Sequence, residues 1–192
     1  MHNLSNMIHP DIYVKHTHIG LGLFAKRAFK RGEILWIIDD LDIKIPLSTY
    51  NSLDEKQRQK LDIYSYMDFQ NRVIVAWDEG KYVNHSCSPN STALVQFDNI
   101  SIAIRDIHEG EEIVEDYRCY FSHFDTFPCQ CGSANCIGQV SASASYRSDL
   151  RLDISEIGQG IKSIEQFLLR KPTSENSELL TLLSTFDTVA VI

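Results

Sequence analysis

The chain lacks any run of 18 apolar residues, and its opening, MHNLSNMIHPDIYV, holds no basic stretch followed by an apolar one. A membrane-spanning helix and a cleaved secretory leader are therefore not expected. Positive charge is also short: 18 Lys and Arg stand against 26 Asp and Glu, a formal net charge of −8. That field repels phosphate backbones and anionic lipid, which argues against direct nucleic-acid binding and membrane association and favours a basic partner such as a lysine-rich tail. Cysteine is sparse and odd in number, five in all, with three inside 129–136, which makes a poor disulfide framework. The chain reads as soluble, of a reducing compartment, cytoplasmic or nuclear or delivered into another cell. No internal repeat or low-complexity run is present, and the stretch IGQG at 157–160 makes no phosphate loop, because no strand with a Gly-rich turn leads into it.

What is present is enough for one core. With 192 residues, 43% of them apolar, the expectation is one domain, or one domain with an appendage. Residues 1–10 read as a flexible arm. From Ile12 to Ile45 short apolar runs are broken by Gly20, Gly22 and Gly32, the rhythm of short strands and tight turns. RVIVAW at 72–77, TALVQF at 92–97 and ISIAIRDI at 100–107 read as further strands, the last two joined by a hairpin at Asp98-Asn99. The fold class is mainly β with helices. One exposed helix is predicted over SLDEKQRQKLDIYSY, opening with Ser52 and Glu55 at capping-box spacing. In the tail, Ile154, Ile157, Ile161, Ile164 and Leu168 recur at helical spacing, and Leu179, Leu180, Leu183 and Phe186 follow a break at Pro172, so two helices are expected. Their apolar stripes would pack on the domain or make a homodimer.

Cys129, Cys131 and Cys136 lie in a C-x-C-x4-C pattern with Gly132, Ser133 and Asn135 to turn the chain. Three thiolates so close suit a soft ion, and zinc is the expected one. A structural zinc takes four ligands, so Cys87 or Cys119 must supply the fourth or the site stays open. Cys87 lies in the polar run YVNHSCSPNS, beside His85. A Cys-His nucleophile is disfavoured there, since neither a helix N-terminus nor a Gly elbow presents the thiol.

Three stretches precede the cysteines in order: GLGLFAKRAFKRGEIL at 20–35, YVNHSCSPN at 82–90 and GEEIVEDY at 110–117. Together with the cluster they resemble the SET-domain protein lysine methyltransferases that carry a post-SET zinc segment. The resemblance covers about 11–140 and implies a SET β-fold of several small sheets with a pseudo-knot threaded near Asn90. It divides that stretch into a catalytic domain at 11–121 with an insert at about 46–78 and a post-SET zinc segment at 122–140; the remainder, 141–192, has no counterpart in the family core and is the helical extension read from its apolar spacing. It also implies S-adenosylmethionine held by Gly20, Leu21, Gly22, Lys81, Tyr82, Asn84 and His85, and a structural zinc on Cys87, Cys129, Cys131 and Cys136. Tyr117 takes the catalytic role, and the substrate is a lysine of a histone or other basic protein.

One position departs from the family pattern. Where Phe or Tyr is usual two residues before the terminal tyrosine, this chain has Glu115. The carboxylate either faces the target amine or points away from it, so the number of methyl groups added stays open. A silent zinc module that binds a lysine-bearing peptide is the alternative reading. Candidate channel walls are Tyr64, Tyr66, Tyr82 and Tyr120.

Overall fold

The computed structural model describes residues 7–94, 100–120, 126–141 and Leu150. Strands β1 (Ile12–Thr17) and β2 (Gly20–Ala25) come first, then β3 (Ile34–Ile37) and β4 (Ile43–Pro46). Helices α1 (Leu47–Ser52) and α2 (Glu55–Asp62) lead into β5 (Ser65–Met67) and β6 (Arg72–Val75). After a 3-10 turn at Glu79–Tyr82 follow β7 (Asn84–His85), β8 (Ser91–Ala93), β9 (Ile100–Ala103) and β10 (Glu112–Glu115). A second 3-10 turn at Tyr117–Cys119 precedes the short pair β11 (Phe127–Pro128) and β12 (Gln139–Val140).

Among the described residues, the largest sheet runs β1-β2-β10-β8-β9-β3, with β7 also pairing β10. The β1-β2 hairpin turns through His18-Ile19, and its return at Gly20 uses φ +135°, a backbone region that suits glycine. Leu23, Phe29, Leu35, Ile38, Ile107 and Ile113 fill the core beneath this sheet, each worth about 1.5–3 kcal/mol when fully buried. A three-stranded sheet, β4-β6-β5, carries the insert.

β10 is the organising strand. It pairs antiparallel with β2 at Glu112 and Ile113, and parallel with both β7 and β8 further on. The chain between those two strands is pinned to it by buried Asn90, whose amide donates to the Glu112 carbonyl (2.7 Å) and whose Oδ1 accepts from the Val114 N–H (2.9 Å).

Several expectations are corrected in detail. The single helix from Ser52 is two: the Ser52 hydroxyl is spent on the Thr49 carbonyl at the end of α1. The capping box belongs to Asp54 and Gln57, whose side chains each accept from the other's backbone N–H (2.8 and 3.0 Å). Ser65 and Tyr66, expected in that helix, are in β5, where pairing with β6 overrides local helical pattern. The arm is tied down at its end, because Met7 and Ile8 are apolar and buried, Ile8 bridges Trp36, and the Ile8 N–H donates to Asp78 Oδ2 (3.0 Å). β8 and β9 pair antiparallel as predicted for a hairpin, whereas the turn expected at Asp98-Asn99, the two expected C-terminal helices and the dimer surface expected of them fall outside the described residues. No described helix is long and apolar enough to cross a membrane.

Under the insert sits a set of buried acids. Asp42 accepts from the N–H groups of Asp39 (2.7 Å) and Trp77 (3.0 Å), but burial outweighs these bonds and raises its carboxyl to about 6 from 3.8. Between those pH values the folded chain holds a proton that the unfolded chain has lost, so this residue's contribution to stability falls as pH rises, by roughly 3 kcal/mol in all. Urea unfolding should show the stability of wild type relative to Asp42→Asn greater at pH 4 than at pH 7 by about that amount. An equal gap at both pH values would rule out the raised carboxyl.

Candidate active site

Two cavities meet at one tyrosine. The larger, about 470 Å³, is walled by aromatic rings, among them Trp36, Tyr64, Tyr66, Tyr117, Tyr120 and Phe127. The smaller, about 290 Å³, is bounded by Ile19, Asn84, His85, Pro128, Gln130 and Cys131. Tyr117 and Phe127 line both.

The fold places Tyr117 through Asp116. Fully buried Asp116 accepts the Arg118 N–H (3.0 Å) and the Arg118 guanidinium, which winds the chain into the 3-10 turn just after β10. The Tyr117 hydroxyl then donates to the Val83 carbonyl (2.8 Å). Burial, with the Glu115 and Glu112 charges nearby, pushes that phenol well above its ordinary value. The phenol is neutral at neutral pH, which suits it to orient a group more than to take a proton.

His85 joins this tyrosine to the cysteines. Its Nδ1 accepts the Tyr117 backbone N–H (3.2 Å), which puts the proton of the neutral ring on Nε2, 3.4 Å from Cys87 Sγ. Burial lowers its basicity, opposed by Asp116 and aided by Arg118, so the neutral ring is favoured. The buried histidine pins the loop, as an ordinary structural histidine does, and also faces the smaller cavity.

Asn84 donates its amide to the Leu21 carbonyl (3.0 Å) and to Glu112 Oε1 (2.8 Å). Gly22 makes that possible: a Cβ there would lie 2.5 Å from Glu112 Oε1 and 2.9 Å from Asn84 Nδ2. Gly20, by contrast, faces open space. The two glycines of the G-x-G turn thus differ in purpose.

The thiols of Cys87, Cys129, Cys131 and Cys136 all lie within 4.8 Å of one another, and Cys87 Sγ is 3.7 Å from Cys129 Sγ. Tetrahedral coordination at ~2.3 Å per sulfur requires S–S edges of ~3.8 Å, so the donor set fits a soft metal ion. Asn135 ties the segment to the loop by donating to the Cys87 carbonyl (3.0 Å), and the Cys129 N–H donates to the Gly138 carbonyl (2.9 Å) beside the β11-β12 pair. Burial raises the thiols of Cys87 and Cys129, while at Cys131 the Ser133 hydroxyl and nearby N–H groups overcome burial and bring it to about 5. Cys119, the other candidate for fourth ligand, is buried elsewhere.

Of the expected residues, Asn84, His85 and Tyr117 share the smaller cavity, next to Ile19 and the Gly20 turn. Lys81 is on the wall of the larger one, its Nζ donating to the Trp77 carbonyl (3.2 Å). Tyr64, Tyr66 and Tyr120 line the larger cavity as proposed for channel walls, whereas Tyr82 stands behind Tyr64, edge to face at 6.0 Å. Glu115 points into the protein, buried at the larger cavity, where it accepts hydroxyls from Ser101 and Tyr120. Missed in the sequence are Trp36, Ser101 and Phe127. Phe127 had a signal in its place two residues before the first clustered cysteine, and Trp36 in being one of only two tryptophans.

Known proteins resemble this chain over the same segment. The family model for the SET domain matches residues 20–118, just over half of the chain. The variant-silencing SET domain-containing protein of Plasmodium falciparum is 35% identical over 144 residues, covering 66% of this chain and 6% of its own. Histone-lysine N-methyltransferase trr of Drosophila melanogaster is 33% identical over 140 residues, again 66% of this chain and 6% of its own. The chain therefore spans a small part of the length of these relatives. The methyltransferase domain of human histone-lysine N-methyltransferase SETMAR shares the fold, with a TM-score of 0.52 at 18% identity over 70% of this chain and 59% of that one. Matched over the segment that carries Asn84, His85 and the tyrosine common to both cavities, the chain belongs to the SET-domain family.

Proposed function

We propose that the chain is an S-adenosylmethionine-dependent protein lysine N-methyltransferase, acting on a histone or another basic protein, and that zinc on Cys87, Cys129, Cys131 and Cys136 holds its C-terminal segment in place. The observation that carries this reading is the position of Tyr117 on the wall common to two cavities of different character. A group donor and a side-chain acceptor that enter from opposite sides would meet at its hydroxyl. The acid-rich chain, at −8, suits a lysine-rich substrate, and relatives such as the Drosophila protein are named as histone-lysine methyltransferases. A nuclear site of action follows from a histone substrate.

The smaller cavity is the candidate site for the cofactor, on the strength of Asn84 and His85 in its lining. Ile19 leads into the Gly20-Leu21-Gly22 turn beside it, and Lys81 and Tyr82, which stand at the larger cavity and behind Tyr64, would join the holding set only by turning toward the cofactor. When bound, S-adenosylmethionine supplies a methyl group activated on a positive sulfonium. The aromatic walls of the larger cavity strip water from a lysine side chain and disfavour its ammonium form. The Tyr117 hydroxyl, fixed by the Val83 carbonyl, orients the nitrogen. Such alignment is worth ~7–11 kcal/mol in favourable cases.

Cofactor binding is checked by thermal unfolding. S-adenosylmethionine at 100 times its Kd should stabilise wild type by about 2.7 kcal/mol, and Asn84→Ala should need more cofactor for the same shift. Absence of any shift at saturating cofactor would leave the proposed binding site without support.

A further inference from the structure

We propose that Glu115 is the proton acceptor that turns the substrate ammonium into the attacking amine. This inference rests on the methyltransferase reading. An amine attacks only through a free pair, yet a lysine side chain arrives from water as ammonium, with a pKa near ~10.4. Tyr117 is a poor acceptor, being a neutral phenol whose hydroxyl is held on the Val83 carbonyl. Glu115 belongs to the same cavity wall, two residues earlier on the chain, and is buried.

Its setting is built. The side chain leaves β10 where that strand pairs with His85 and Ser91, and its oxygens accept from Ser101 on β9 and from Tyr120 after the 3-10 turn. Tyr120 in turn packs on Tyr66 (5.5 Å), which stands edge-on to Trp36 (6.4 Å). The two donated hydroxyls offset part of what burial among aromatic rings costs a carboxylate charge. The groups that share or face this space are accounted for. Lys81 turns its ammonium to the Trp77 carbonyl, Asp62 accepts from Tyr50 (2.6 Å), and His85 holds its Nδ1 toward the Tyr117 N–H. An entering ammonium and the carboxylate form an ion pair without water. In a poorly solvated pocket the neutral acid and amine are the less costly form, and a nearby sulfonium disfavours the ammonium further.

The step balances. One ammonium N–H bond breaks and an O–H bond forms on Glu115, leaving the electron pair on nitrogen. That pair forms the N–C bond to the methyl group, the C–S pair returns to sulfur, and the positive charge reappears on the methylated nitrogen. The proton on Glu115 passes to solvent as product leaves.

The test is methyl transfer to core histones from tritiated S-adenosylmethionine between pH 6.5 and 10, with zinc content and unfolding temperature checked for each protein. Glu115→Gln should lower kcat about a hundredfold at neutral pH and regain rate as the pH approaches that of the free amine, whereas wild type changes little over the upper range. The double variant Ser101→Ala, Tyr120→Phe keeps the carboxylate but removes its two donors, and its acidic limb should move to higher pH. Loss in Glu115→Gln by the same factor at every pH, or an unchanged rate, would overturn the proposal, as would an unmoved limb in the double variant. Should Glu115→Gln fail to fold, the limb of the double variant decides alone. Wild type that transfers no label would sink the methyltransferase reading and this inference together; labelled wild type with a flat Glu115→Gln profile sinks only the inference.

Discussion

Tyr117→Phe should lower the rate of methyl transfer by about 10²–10³-fold while leaving most of the fold in place. The estimate follows from the geometry: the ring would still fill the wall between the two cavities, but the oxygen that orients the incoming nitrogen would be gone, and one preorganised polar group at a reaction centre is commonly worth that much. The Val83 carbonyl would also lose its donor, at about 1–3 kcal/mol of stability if no water replaces it. The two effects separate cleanly in experiment. Urea unfolding reads the second, and kcat at saturating cofactor and substrate reads the first. A variant with the kcat of wild type would remove Tyr117 from the chemistry. Equal losses in unfolding free energy and activation free energy would reduce it to a packing residue.

Cys131→Ser should remove the metal and the activity together. Metal analysis of wild type is expected to give about one zinc per chain, because four sulfurs within 4.8 Å match one tetrahedral ion and no second cluster of ligands exists among the described residues. Apparent binding energies of structural zinc in small peptides run to about 10–16 kcal/mol, far above what β11 and β12, two residues each, could supply. Release of this segment would strip Phe127, Pro128 and Gln130 from the cavity walls and break the His18 contact to the Gln130 carbonyl (3.0 Å). The same result is expected for Cys87→Ser, and the opposite for Cys119→Ser, which should keep both metal and activity. Full zinc in Cys87→Ser with none in Cys119→Ser would move the fourth ligand.

How much could be read from the sequence depended on whether the information was local. The strands of the first half announce themselves because glycines interrupt short apolar runs, and the site stretches because Asn84, His85 and Cys87 sit within four residues. The metal cluster is nearly contiguous, and only its fourth sulfur needed the fold to decide between Cys87 and Cys119. Helix α2 was legible as a helix but not at its start, since Asp54 with Gln57 and Ser52 with Glu55 are alternative boxes of the same spacing two residues apart. What stayed hidden is what tertiary pairing alone creates. Ser101 reaches Glu115 because β8 lies between β9 and β10, and Trp36 reaches the cavity because Gly80 leaves its indole room: a Cβ there would lie 2.5 Å from Trp36 Nε1. Gly22 was read as a place for close approach of ligand, and the structure adds a reason internal to the protein, the Asn84 and Glu112 side chains beneath it.

The most direct measurement is a single-turnover incubation of the zinc-loaded chain with tritiated S-adenosylmethionine and core histones, followed by acid hydrolysis and separation of the amino acids. Passage of a methyl group across the Tyr117 wall predicts that the tritium elutes as N-methylated lysine. Tritium that remains in the cofactor, or elutes with any other amino acid, would contradict it.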